Sequence, residues 1–206
     1  MAKLFSVTIL FILSIASVVL ISFCDAQGGK SVLKDVRKPL KLQETVLTHL
    51  TFYWHESFVG PNASAVIIAG VNSTDSAIRA FGTTYAYDNP LTIEPIVPTT
   101  TSEVVGRAQG YYTMYPGDDE IAIGVIMNVI LKEEMFADSI LTFEGRILSG
   151  TGFVREVPVI GGSGVFRYAT GYYQSQMLSA DPITRQNIVM FDIYVNMLSD
   201  PLTKFI

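Results

Sequence analysis

From Thr48 onward the chain is a succession of short β-type runs broken by turn residues, and this pattern constrains the fold more than any other feature of the sequence. The runs cover 48–56, 64–70, 79–87, 103–115, 120–133, 139–149, 153–160, 164–178 and 187–197. Gly60-Pro61-Asn62, Asp88-Asn89-Pro90, Pro116-Gly117-Asp118-Asp119, Gly161-Gly162-Ser163-Gly164 and Asp181-Pro182 punctuate them, and glycine, proline, asparagine and aspartate are the residues that tight turns select. There is neither an amphipathic helix of useful length nor an internal repeat. Residues 48–206 therefore form one all-β domain. Eight or nine strands must dispose of their edges, and closing the sheet into an antiparallel barrel removes edges altogether. A two-sheet sandwich is the competing architecture. The run Ile121–Leu131 is apolar on both faces, as expected of a barrel strand that faces the interior on one side and another subunit on the other. A homo-oligomer is expected.

The N-terminus reads as a targeting segment. Lys3 precedes a mostly apolar, uncharged run from Leu4 to Phe23, followed by Cys24-Asp25-Ala26, the order of a secretory signal peptide over residues 1–26. No basic cluster follows it to stop transfer, so cleavage is expected in place of membrane anchoring. Residues 27–47 are polar and lysine-rich and read as a flexible arm. The sequons Asn62-Ala-Ser and Asn72-Ser-Thr suit an exported glycoprotein.

Composition then excludes several chemistries. Without residues 1–26 the chain has 13 Lys and Arg against 18 Asp and Glu, and its single cysteine, Cys24, is gone. A mildly acidic chain is a poor partner for nucleic acid. With no thiol there is no catalytic cysteine and no soft-ligand metal centre. His49 and His55 are six positions apart, roughly 20 Å along a strand, too far to share a metal. A Gly-x-Ser-x-Gly elbow is missing, and Gly161–Gly164 precedes neither a helix nor a Gly-Lys-Ser/Thr motif, so phosphate-loop and dinucleotide chemistry are unsupported. No cofactor and no metal site is expected, apart from a carboxylate cluster at Asp118-Asp119-Glu120 that suits Ca²⁺ no better than solvent.

Strand parity then places the candidate site residues, because successive side chains alternate faces. In His49–Glu56 the even positions Leu50, Phe52 and Trp54 form an apolar row closed by Glu56. Such a surrounding raises a carboxyl pKa toward that of a general acid at neutral pH. The alternative is that the strand ends at His55 and Glu56 turns into solvent. In the next informative run, Gly106, Ala108, Gly110, Tyr112 and Met114 share a face that leaves volume beside a phenol. Glycine in a strand also marks twist or bulge. His55 reads as structural.

The ordered blocks Phe52-Tyr-Trp-His-Glu56, Phe81-Gly82, Asp88-Asn-Pro-Leu-Thr92, Val105-Gly-Arg-Ala-Gln-Gly110, Phe143-Glu-Gly-Arg146, Val154–Gly162 and Gly164–Gly171 resemble the signature blocks of the plant dirigent proteins across residues 45–198. The resemblance implies an extracellular, apoplastic eight-stranded antiparallel β-barrel of the dirigent and allene-oxide-cyclase type, a homotrimer with one pocket per barrel. It implies no oxidative centre of the protein's own. A separate laccase or peroxidase makes phenoxy radicals, such as those of coniferyl alcohol, and the protein steers their coupling to one stereoisomer of a lignan. Other members dehydrate or cyclise quinone-methide-type intermediates. By position, Glu56 falls where most members have aspartate, Tyr112 on a pocket tyrosine and Arg155 on a substrate-orienting arginine. Ile147, Leu148 and Ser149 stand where lignan-forming members carry a second aspartate, so a two-acid mechanism is in question.

Three functions follow for test. In the first the protein guides radical coupling, with Trp54, Tyr112, Met114 and Phe166 as pocket walls. A second makes it a dehydratase or cyclase in which Glu56 or Tyr112 donates a proton. The third is a carrier or glycan-binding wall module that would use Tyr111, Tyr115, Tyr172 and Tyr173.

Overall fold

The computed structural model describes residues 44–70, 80–96, 102–117, 120–149 and 154–199. The signal segment, most of the arm and the sequon asparagine Asn72 lie outside them, as do Asp118 and Asp119. Nine strands follow one another: β1 (Thr45–Ser57), β2 (Ala65–Ala69), β3 (Thr84–Thr92), β4 (Val104–Pro116), β5 (Ile121–Leu131), β6 (Leu141–Leu148), β7 (Arg155–Gly162), β8 (Thr170–Asp181) and β9 (Gln186–Leu198). All pairings are antiparallel, in the order β1-β9-β8-β7-β6-β5-β4-β3-β2. A further pairing, Tyr53 with Thr92 and Trp54 with Leu91, joins β1 to the end of β3 and closes an eight-stranded barrel. β2 takes the place beside the first half of β3 that β1 leaves vacant. The sandwich alternative is thereby rejected. Among the described residues no helix is long and apolar enough to cross a membrane.

Three expectations need correction. β1 begins at Thr45, inside the stretch read as arm. Asp88-Asn89-Pro90 is not a turn but part of β3, paired with Gln109, Ala108 and Arg107 of β4. The reason is local. The Asp88 N–H is directed to the Ser64 carbonyl on the opposite edge, and N–H directions alternate, so the ring nitrogen of Pro90 faces the break between the β2 and β1 pairings, where no ladder bond is lost. Finally, Gly161–Gly164 is not a tight hairpin. β7 runs through Gly162, a single 3₁₀ turn occupies Gly164–Phe166, and β8 starts only at Thr170.

One half of the barrel is filled. Leu91, Ala108, Val129, Leu141, Phe143, Val157, Phe166, Ile193 and Val195 are buried there, and Phe166 stacks on Phe136 at 5.4 Å. Each large apolar side chain so buried contributes about 1.5–3 kcal/mol. The glycines of β4 belong to this packing. A side chain at Gly106 would meet the Ile130 carbonyl, and one at Gly110 would meet the Ile126 carbonyl and, at 3.0 Å, the Tyr87 hydroxyl that donates to it. Their face is therefore occupied, and the expected vacancy lies farther along the strand, past Tyr112.

Gly110→Ala is accordingly expected to cost about 1–3 kcal/mol, because the obstructing atoms are backbone held in a ladder. Gly161→Ala, where an added methyl meets nothing within 4 Å, should stay within about 0.5 kcal/mol of wild type. Thermal unfolding of the two variants checks this, and equal losses would contradict the packing role of Gly110.

Candidate active site

The other half of the barrel is hollow. Inward positions toward the β4–β5, β6–β7 and β8–β9 connections line a cavity of about 1080 Å³. Its wall is mostly apolar and aromatic, including Trp54, Tyr85, Tyr87, Met114, Ile123 and Phe191.

Glu56 is the buried acid of this chamber. β1 continues to Ser57, so parity holds to its end and brings the side chain inward at 4 % exposure. The expectation that Glu56 closes an apolar row is met, and the solvent-facing alternative is not. Oε1 accepts from the Tyr112 hydroxyl at 3.1 Å and Oε2 from the Asn187 amide at 2.9 Å. Burial pushes the carboxyl up to about 7, with the bonds from Asn187 and Tyr112 offsetting part of that rise. Burial, reinforced by the nearby carboxylate, drives the Tyr112 phenol far above its usual range. Near neutrality the pair holds Glu56 partly protonated and Tyr112 fully so.

The remaining candidates divide. Trp54 and Met114 line the cavity, Trp54 edge-on to Tyr87 and Phe191 at 5.5 and 5.8 Å. Arg155 also lines it, buried, its Nε donating to the Leu148 carbonyl at 2.7 Å, which fixes the plane of the guanidinium. Burial lowers its pKa, while neighbouring Tyr173 works the other way. An arginine so placed still keeps its charge. Phe166 does not reach the cavity, because the 3₁₀ turn carries it into the filled half. Of the four tyrosines considered for stacking, Tyr173 is buried among the cavity walls, whereas Tyr111 and Tyr115 are exposed outside.

His55 points away from the chamber, buried, with Nε2 2.8 Å from the Thr92 hydroxyl, and burial lowers its pKa. It holds the β1–β3 closure. His49 lies on the outer face against Asp192 and Tyr194. Among the described residues no cluster of three or more His, Cys, Asp or Glu side chains could hold a metal ion. Asn62 sits on an exposed turn.

Ile147, Leu148 and Ser149, at the place where the resemblance leads one to expect a second aspartate, border the cavity. Two further carboxylates, Glu120 and Asp181, stand at its mouth. Glu120 pairs with Arg146 at 2.8 Å, and Asp181 accepts the N–H groups of Ile183 and Thr184 in its own turn. Asn187 is a site residue that sequence reasoning passed over. Its signal was available, since it heads the row Val189, Phe191, Ile193, Val195 and Met197 as Glu56 ends its own.

Residues 47–196 match the family model described as Dirigent-like protein. The chain is 37% identical to pterocarpan synthase 1 of Glycyrrhiza echinata, over 76% of this chain and 81% of the relative. It is 36% identical to Dirigent protein 7 of Arabidopsis thaliana, over 95% and 98%. A solved pterocarpan synthase dirigent protein superposes with a TM-score of 0.69 at 36% identity, covering 76% of this chain and 93% of that one.

The buried carboxyl has a thermodynamic signature. With a folded pKa of about 7 against 4.5 for a free side chain, the native state holds the Glu56 proton more tightly than the unfolded state does. Stability contributed by Glu56 is thus full below about pH 4.5 and falls as pH rises toward 7, by about 3 kcal/mol in all. Glu56→Gln should remove that slope and be more stable than wild type at about pH 8. Denaturant titrations across this window check it, and parallel curves would contradict a buried, proton-holding Glu56.

Proposed function

The chain belongs to the dirigent family, and from that premise we propose that it carries out non-oxidative acid chemistry on a phenolic guest, through a quinone-methide-type intermediate. The observation that supports this reading above the others is one buried carboxyl, poised at neutral pH and coupled to a phenol, where a second acid is replaced by Ile147, Leu148 and Ser149. One acid suffices for dehydrative ring closure. The pair formed by Tyr112 and Glu56 passes a proton to the leaving hydroxyl of a benzylic alcohol, the C–O bond breaks, and water departs. The conjugated phenol gives its proton to solvent and becomes the quinone-methide carbonyl, with Arg155 stabilising negative charge on that oxygen. A second hydroxyl of the same molecule adds to the methide carbon and passes its proton to the Glu56 carboxylate, while the carbonyl oxygen takes one back from solvent and restores the phenol. The net change is alcohol to cyclic ether plus water, with no electrons exchanged. Two relatives named pterocarpan synthase favour an isoflavanol-type alcohol as substrate.

A second reading has its own support. At about 1080 Å³ the cavity lies just above the roughly 300–1,000 Å³ range of small-molecule sites, room enough for two phenylpropanoid units held face to face. In that reading a laccase or peroxidase supplies phenoxy radicals. A preference of about 1.4 kcal/mol between approaches then gives tenfold stereoselectivity.

In the same proposal the chain is secreted to the apoplast on the strength of residues 1–26, and carries a glycan at Asn62. It assembles as a homotrimer, for which the half-buried apolar residues Ile126 and Ile130 on the outer face of β5 speak.

With an isoflavanol-type alcohol and no oxidase, wild type should release cyclised product with a rate that falls as pH rises through about 7, since the acid must be protonated. Glu56→Gln should lower that rate about 10²–10⁴-fold. Turnover unaffected by the substitution would sink the acid reading. If coniferyl alcohol plus oxidase instead gives enantiomeric excess that survives Glu56→Gln, the second reading prevails.

A further inference from the structure

The register of β1 and β9 sets Glu56 directly opposite Asn187, so their side chains share the interior face. Every later inward residue of β9, from Val189 to Met197, is apolar and buried. Asn187 is the polar exception, and its Nδ2 is spent on Glu56 Oε2 at 2.9 Å. The two oxygens of the acid therefore meet chemically different partners. An amide nitrogen donates and cannot accept, whereas the Tyr112 hydroxyl on Oε1 can do either.

That asymmetry decides where the acid's proton sits. When Glu56 is ionised, Tyr112 and Asn187 both donate to it. On protonation, Oε2 still faces a donor, so the new O–H forms on Oε1 and points at Tyr112, whose own hydrogen is displaced toward the cavity. Other ionisable groups face the pair from the surrounding strands: Tyr85 and Tyr87 of β3 both act on Tyr112, Tyr85 stacking on its ring at 5.0 Å, while Arg155 of β7 and Tyr173 of β8 line the same cavity. Arg185, beside Phe58 at 6.0 Å, stands at the mouth.

We propose that Asn187 is a positioning residue that confines the acidic proton of Glu56 to the oxygen shared with Tyr112, so that the proton enters the cavity through the tyrosine hydroxyl. The inference rests on the acid reading of the site and adds to it the route of the proton. A donor to the carboxylate also favours the ionised form, so removing Asn187 should raise the Glu56 midpoint.

The test uses Asn187→Leu, similar in volume and without donors, alongside Tyr112→Phe and the double variant. In ligand-free protein labelled with ¹³C at the glutamate side-chain carboxyl, the Glu56 resonance, identified by its loss in Glu56→Gln, should titrate at higher pH in Asn187→Leu than in wild type. With a hydroxylated isoflavanol as probe, Asn187→Leu should lose roughly tenfold in kcat with KM little changed, and the alkaline limb of its pH profile should move up with the resonance. The double variant should be no slower than Tyr112→Phe, because the site of the proton ceases to matter once its outlet is gone. Asn187→Gln, which keeps a donor-only nitrogen, should recover part of the rate. An unmoved Glu56 midpoint, or losses that multiply in the double variant, overturns the proposal. A shifted midpoint in a protein whose wild type shows no turnover of the probe overturns the acid reading itself and the proton route with it, while leaving the hydrogen bond established.

Discussion

Everything distinctive about this barrel depends on a carboxyl group taken out of water and compensated only by two neutral donors. A buried ion pair would have kept Glu56 charged. A tyrosine and an asparagine instead favour the ionised form only in part, so burial outweighs them and sets the acid near neutral pH. The cost of that burial is carried by the filled half of the barrel, where Leu141, Phe143, Ile193 and Val195 pack around the same strands.

Division of the barrel into a packed half and a hollow half follows from the choice of side chains along each strand. β5 shows it most simply. Its inward row runs from Val129 through Met127 and Val125 to Ile123 and Ile121, and only the first of these belongs wholly to the packed half. Where β5 faces β6, Met127 lies against Phe143 and Ile123 against Ile147, so Ile147, one of the three residues at the place expected for a second acid, is met by hydrocarbon from the neighbouring strand. Among the described residues Glu56 is the one buried carboxyl in this wall.

The strands and the inward face of β1 were legible in the sequence because period-two alternation is local information. Glu56 could be read as interior since Leu50, Phe52 and Trp54 precede it at the same parity. What failed were positions decided by distant residues. Asp88-Asn89-Pro90 has turn composition, yet a break in the facing ladders lets it continue a strand. Phe166 sits in a run that looked extended, but the 3₁₀ turn at Gly164 redirects it. The emptiness expected beside Gly110 was taken up by Tyr87, a contact between β3 and β4 that no spacing within either strand announces. Asn187 became visible as a partner of Glu56 only through the register of two strands 131 positions apart.

On the proposed reading, the hollow, aromatic-walled chamber with its acid at one wall takes a guest that enters the barrel. The most direct measurement is a structure with a non-reacting phenolic analogue, one whose leaving hydroxyl is replaced by a carbonyl, bound at saturating concentration. The account predicts the analogue inside the hollow half of the barrel with that oxygen within hydrogen-bonding distance of the Tyr112 hydroxyl. An analogue bound only on the outer surface, or seated in the chamber with its oxygen turned away from Tyr112 and Glu56, would contradict it.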